Sequence, residues 1–97
     1  MKKAARIKEI KHEIEWYEPK KRIADAMLEL GNIGFKFSGH GAGFGEEDFS
    51  LCTNKTYVNF CDRGRKVVVS IYKNDEDMDT LYEGTIHGAL KHLGTSG

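Results

Sequence analysis

One proline, two cysteines and one tryptophan occur in a chain of 97 residues, and its charges cancel. Each scarcity removes a class of protein. Two thiols, Cys52 and Cys61, are too few for a disulfide scaffold, so the fold must be held by burial. No run of about 18 apolar residues is present, so no segment reads as a membrane span. Met1-Lys2-Lys3-Ala4-Ala5-Arg6 leads into alternating charges, unlike a secretory leader. The expected compartment is the cytoplasm. Zero net charge also lacks the basic excess of a dedicated nucleic-acid binder. The cancellation hides an asymmetry. Residues 1–36 hold nine Lys/Arg and six Asp/Glu, a balance of +3; residues 37–97 hold six and nine, a balance of −3. A basic end and an acidic remainder suit a charge-matched protein partner at least as well as phosphate.

What is present reads as a single α+β domain. Ile7, Ile10, Ile14 and Tyr17 recur at helical spacing and predict a helix over 3–17, with Trp16 beside the stripe. Pro19 predicts a break at Glu18 and a second helix over 19–30, or else one kinked helix. Ile23, Ala26, Met27 and Leu30 form its buried side, and Gly31 suits a C-cap. The period then changes to two. Strands are predicted over about 33–38, 48–53, 56–62 and 66–73, a four-stranded antiparallel meander. With a turn at Asn54-Lys55, Leu51 faces Val58 and Phe49 faces Phe60. With a second turn at Arg63-Gly64, Phe60 faces Val67, Val58 faces Val69 and Thr56 faces Ile71. Both registers send the bulky residues to one face. The other face carries Ser50, Cys52, Tyr57, Asn59, Cys61, Lys66, Val68, Ser70 and Tyr72, a polar surface expected to be half exposed. Asn74 and the acids after it predict a last helix over 75–93, packed on one sheet face. Met78, Leu81, Tyr82, Thr85, Ala89 and Leu93 form its buried stripe.

The segment Gly39-His40-Gly41-Ala42-Gly43-Phe44-Gly45 reads as a loop. Its glycines do not make a phosphate cradle, because a strand follows and Glu46, Glu47 and Asp48 repel anions. A mobile tip or a binding loop ending in Phe44 fits better. None of the four histidines has zinc spacing, so no metal is expected, and His40 alone has a functional setting. Cys52 and Cys61 read as reduced thiols, with Cys61 opposite Asp48 and Cys52 opposite Tyr57. Neither has a histidine and acid arranged for nucleophilic catalysis. Gly84 and Gly88 inside a helix ask for compensation, from close backbone packing or from a homodimer surface. Glu46, Glu47, Asp48, Asp75, Glu76, Asp77, Asp79 and Glu83 would make one anionic patch if they meet in space.

These features predict a small non-enzymatic, cofactor-free protein that binds and blocks a protein or ribonucleoprotein. The expected contacts are His40, Phe44, Glu46, Glu47, Asp48, Tyr57 and Tyr72. In size, charge and general style the chain is similar to short accessory proteins of phages and mobile elements, including anti-CRISPR inhibitors; that resemblance implies a host protein complex as target and host cytoplasm as location. The alternative is a nucleic-acid-binding module. The order helix, strands, helix is similar to a double-stranded-RNA-binding domain, although Asp75-Glu76-Asp77 stands where that family places lysines. Tyr57 and Tyr72 would then stack single-stranded bases.

Overall fold

A computed structural model describes residues 2–95. The chain runs α1 (Lys2–Tyr17), α2 (Lys21–Asn32), β1 (Lys36–Gly43), β2 (Glu46–Cys52), β3 (Thr56–Asp62), β4 (Val67–Lys73), β5 (Thr80–Gly84) and α3 (Ile86–His92). The strands form one open antiparallel sheet in chain order. The class is α+β, as the sequence predicts, with five strands in place of four.

Pro19 parts the helices. Glu18 takes a φ of 50° and its amide still donates to Ile14 O at 2.8 Å, after which α2 begins at Lys21. Gly31 is not the C-cap. It lies inside the last turn of α2, whose cap is Ile33, and Gly34 supplies the positive φ of 120° that leaves the helix. Gly31 instead admits α1: a Cβ there would stand 2.7 Å from Cδ1 of both Ile7 and Ile10.

Ile10, Ile23, Met27 and Leu30 bury against Phe49, Leu51, Val58, Phe60, Val69 and Ile71. These strand positions alternate, so they belong to one pleat. Ala89 and Leu90 of α3 join the same cluster. All three helices therefore cover one face of the sheet, and among the described residues no element packs over the opposite face.

The β2–β3 register is the predicted one, with Leu51 opposite Val58 and Phe49 opposite Phe60. The β3–β4 register is displaced by two residues: Phe60 pairs with Val69, Val58 with Ile71 and Thr56 with Lys73. The Arg63 amide donates to Lys66 O at 2.9 Å, so Gly64-Arg65 is the turn. Gly64 takes a φ of 88° at the first central position, where a two-residue hairpin wants it, and its amide donates to Asp62 Oδ1. A shift of two preserves the pleat, so the predicted face assignment survives.

Three expectations are corrected. The segment 39–45 is mostly strand: β1 runs to Gly43, and only Phe44-Gly45 turns. The predicted strand over 33–38 loses its first residues because Ile33 and Gly34 are spent leaving α2. The helix expected over 75–93 is a turn, then β5, then the short α3. Asp75 Oδ1 accepts from the amides of Asp77 and Met78, an Asx turn rather than a helix start. Asn74 caps no helix; its amide donates to Lys55 O and its Nδ2 to Thr53 O, bracing the β2–β3 turn. Met78 and Leu81 are exposed instead of buried. Thr85 is the true N-cap, accepting from the Gly88 amide at 3.1 Å. Gly84 and Gly88 make room for the Tyr82 ring, whose Oη would overlap a Cβ at Gly88 and stand 2.6 Å from one at Gly84.

Lys20, between the first two helices, donates to Gly64 O and lies 3.0 Å from Asp62 Oδ1. Burial opposes ionisation of Asp62, but the Gly64 amide and the Lys20 ammonium overcome it and hold the carboxyl below its ordinary range. A folded-state pKa below the unfolded value of about 3.9 contributes stability that is full above that value and is lost as pH falls through the folded pKa. Asp62→Asn should cost about 1 kcal/mol at pH 7, and the gap from the parent should close progressively below about pH 4 in urea titrations. Gly88→Ala should destabilise by about 1–2 kcal/mol despite alanine's better helix propensity. Combining it with Tyr82→Phe should recover part of that loss in thermal melts.

Candidate functional site

A bulge decides which residues share the open face. The β1–β2 register shifts between Phe37 and Gly39, setting Ser38 aside. Beyond it Gly39, Gly41 and Gly43 pair with Ser50, Asp48 and Glu46 on the open face. His40 and Ala42 pair with Phe49 and Glu47 on the helix side. The residues predicted to form one contact surface are thus divided. Glu46, Asp48, Tyr57 and Tyr72 lie on the open face, His40 and Glu47 on the other, and Phe44 at the tip.

His40 belongs to the scaffold. Its ring stacks on Tyr17 with centroids 3.8 Å apart and planes 14° from parallel, and lies 5.1 Å from the Phe49 ring. Its Nε2 is 2.7 Å from Glu47 Oε2. This cluster ties the end of α1 to the edge strand. Both residues, expected as partner contacts, thus also have a role inside the fold.

The open face is organised in rows set by the ladder. One row runs Lys36, Cys52, Tyr57, Tyr72 and Thr80, with the tyrosine rings 6.3 Å apart. The next runs Gly39, Ser50, Asn59, Ser70 and Glu83, followed by Gly41, Asp48, Cys61 and Val68. Ser50 Oγ donates to Asn59 Oδ1 at 2.9 Å, Asn59 Nδ2 donates to Asp48 Oδ1 at 3.2 Å, and Ser70 Oγ donates to Glu83 Oε2 at 3.4 Å. Arg63 Nε is 3.3 Å from Glu46 Oε2. Among the described residues Asp48 has no cation within 4.0 Å. Burial, partly offset by Arg63, pushes the Cys61 thiol up, and the Asp48 and Glu46 carboxylates add to this. The Cys61 thiol donates to Glu46 Oε1 at 3.6 Å.

The acidic and aromatic ends of the face are separate. Four residues of strand, about 13 Å, part the Tyr57 row from the Cys61 row. The two acidic groups do not meet either. The turn holding Asp75, Glu76, Asp77 and Asp79 is fastened to the β2–β3 turn through Asn74, at the opposite end from Glu46. Only Glu83 joins the acids of the face.

Phe44 is fully exposed at a φ of 53°, followed by Gly45 at 79°. Two positive φ values make the type I′ pattern, which favours asparagine or glycine at the first position. An exposed phenylalanine there is unfavourable for the backbone and for solvation.

Sequence reasoning placed Ser50 and Asn59 on this face and Glu83 among the acids without counting them in the site, and it missed the glycine strip on β1. The strip had a legible signal: glycine at 39, 41 and 43 with His40 and Ala42 between has a period of two, although the bulge at Ser38 puts it out of phase with Phe37. Among the described residues no group of three or more His, Cys, Asp or Glu is arranged to hold a metal ion, and no helix is long and apolar enough to cross a membrane. No protein-family model, no curated protein and no solved structure matches the chain.

The two tip-proximal aromatic residues should behave oppositely on substitution. His40→Ala should cost about 2 kcal/mol, because it empties a stacked, hydrogen-bonded position. Phe44→Asn should raise stability by about 0.5–1 kcal/mol by suiting the turn. Chemical denaturation of both variants checks this.

Proposed function

We propose that the chain is a non-catalytic binding module that engages another protein through the open face of its sheet and blocks that partner. This is the mode of short accessory proteins of phages and mobile elements acting on a host complex. The observation that supports the reading is the one-sided layering: three helices on one face, and on the other a hydrogen-bonded set of carboxylates, amide and hydroxyls over which no described element packs, with Ser50 and Ser70 shielded by their neighbours and Glu46 and Glu83 exposed. A half-exposed sheet face is common. A fixed network on it is what a specific contact requires, since its side chains are ordered before the partner arrives. Phe44 adds an exposed aromatic anchor at the acidic end, in a conformation that favours other residues.

Stacking of nucleic-acid bases on Tyr57 and Tyr72 is the weaker reading. Asp48, Glu46 and Glu83 share that face, and a phosphate backbone running along it would meet their charge. Labelled single-stranded oligonucleotides should fail to bind at low salt.

Position-specific photo-crosslinking in lysate of the source cells tests the proposal. A benzophenone amino acid at Tyr72, Glu83 or Phe44 should give discrete adducts, and one at Lys11 on α1 should not. Equal crosslinking from Lys11, or none from the sheet positions, would refute the open face as the contact surface.

A further inference from the structure

The acidic end of the open face adjoins the free edge of β1. That strand pairs with β2 on one side only, and no described residue hydrogen-bonds its outward N–H and C=O groups. Exposed edges are commonly guarded by lysine, proline or a covering segment. No lysine, arginine or proline lies between Phe37 and Phe49. The other edge strand, β5, carries a bulge in its pairing and a side chain at every position but Gly84, with Tyr82 folded against α3.

The glycines of β1 have no explanation inside the fold. Gly39, Gly41 and Gly43 do not take positive φ, and a Cβ at any of them would meet nothing within 4 Å. Each weakens the strand by roughly 0.5–1 kcal/mol relative to alanine. Glycine at such positions marks close approach of another backbone or ligand. Beyond the glycines stand Asp48, with no cation within 4.0 Å among the described residues, and Glu46, paired with Arg63.

Resting on the binding-module reading above, we propose that β1 accepts an added strand. An extended segment of the partner protein, with lysine or arginine at alternate positions, hydrogen-bonds to the free edge and lays its cations over the glycine strip onto Asp48 and Glu46. An added strand would sit about 4.8 Å from β1 and about 10 Å from β2. Only long side chains cross that gap, and only if the strand between carries none. Backbone pairing supplies affinity and the alternate cations supply selectivity, the division of labour seen in strand addition generally. Phe44, at the end of β1, would cover the end of the segment. A second copy of this chain fits less well, because it would bring two acidic edges together.

The probe is a capped heptapeptide of alternating lysine and threonine, with a glutamate-for-lysine peptide as control, titrated into the full chain and read by backbone amide chemical shifts. Amides of residues 36–43 and 46–48 should move with the lysine peptide alone, and those of 80–84 should not. Asp48→Asn should weaken binding about tenfold, the loss of one charge-assisted contact. Gly41→Val should abolish binding with an unchanged or higher melting temperature, which separates blocking from misfolding. Shifts confined to the tyrosine end would overturn edge addition and leave the open-face reading standing. No shift at millimolar peptide, or equal binding of the glutamate peptide, would also overturn it, and crosslinking would then judge the open face alone. A concentration-dependent dimer with protected β1 amides would assign the edge to a second copy and likewise defeat the proposal.

Discussion

The structure depends on one constraint: the fully buried apolar side chains of the central strands must leave the sheet on the same side. Phe49, Leu51, Val58, Phe60, Val69 and Ile71 satisfy it, and that single pleat draws all three helices to one face. A one-residue slip would exchange this set for Ser50, Asn59 and Ser70. The register therefore has a strong energetic reason, since burial of each such side chain stabilises by about 1.5–3 kcal/mol. The same constraint leaves the second face bare. The open surface is thus a direct consequence of how the core is assembled.

On that bare face, local choices depart from what stability alone would select. An ordinary exposed edge strand would carry threonine or lysine where this one has three glycines. An ordinary type I′ turn would carry asparagine where this one has Phe44. Both departures fall within one hairpin, beside the carboxylates of Glu46 and Asp48. Violations of local preference that gather in one place are characteristic of functional sites.

The sequence made the pleat legible because alternation is insensitive to shifts of two: the β3–β4 pairing moved by that amount and the buried set did not change. Two features were hidden by competing signals. Acids at 75–79 resemble a helix start, yet Asp75 serves a turn, and Gly84 and Thr85 mark where the helix can begin. Glycines at 39–45 resemble a loop, yet only Phe44 and Gly45 there take positive φ. The division of Glu47 from Glu46 and Asp48 follows from strand alternation once β2 is known to start at Glu46. The bulge at Ser38, which sends His40 to the helices, leaves no pattern in the residues themselves.

His40 connects the core to the edge. A strand with glycine at alternate positions loses conformational freedom on ordering more than most, and a partner would have to supply that ordering if the strand were loose. The stack of His40 on Tyr17, the contact with Phe49 and the link to Glu47 hold the strand from behind. Every anchoring side chain is on the helix side, so the strand is fixed without obstructing its open face or its outward hydrogen-bonding groups. Rigidity and accessibility, which ordinarily conflict in an edge strand, are here assigned to opposite sides of the same backbone. Under the strand-addition proposal, His40 serves by positioning β1 from behind.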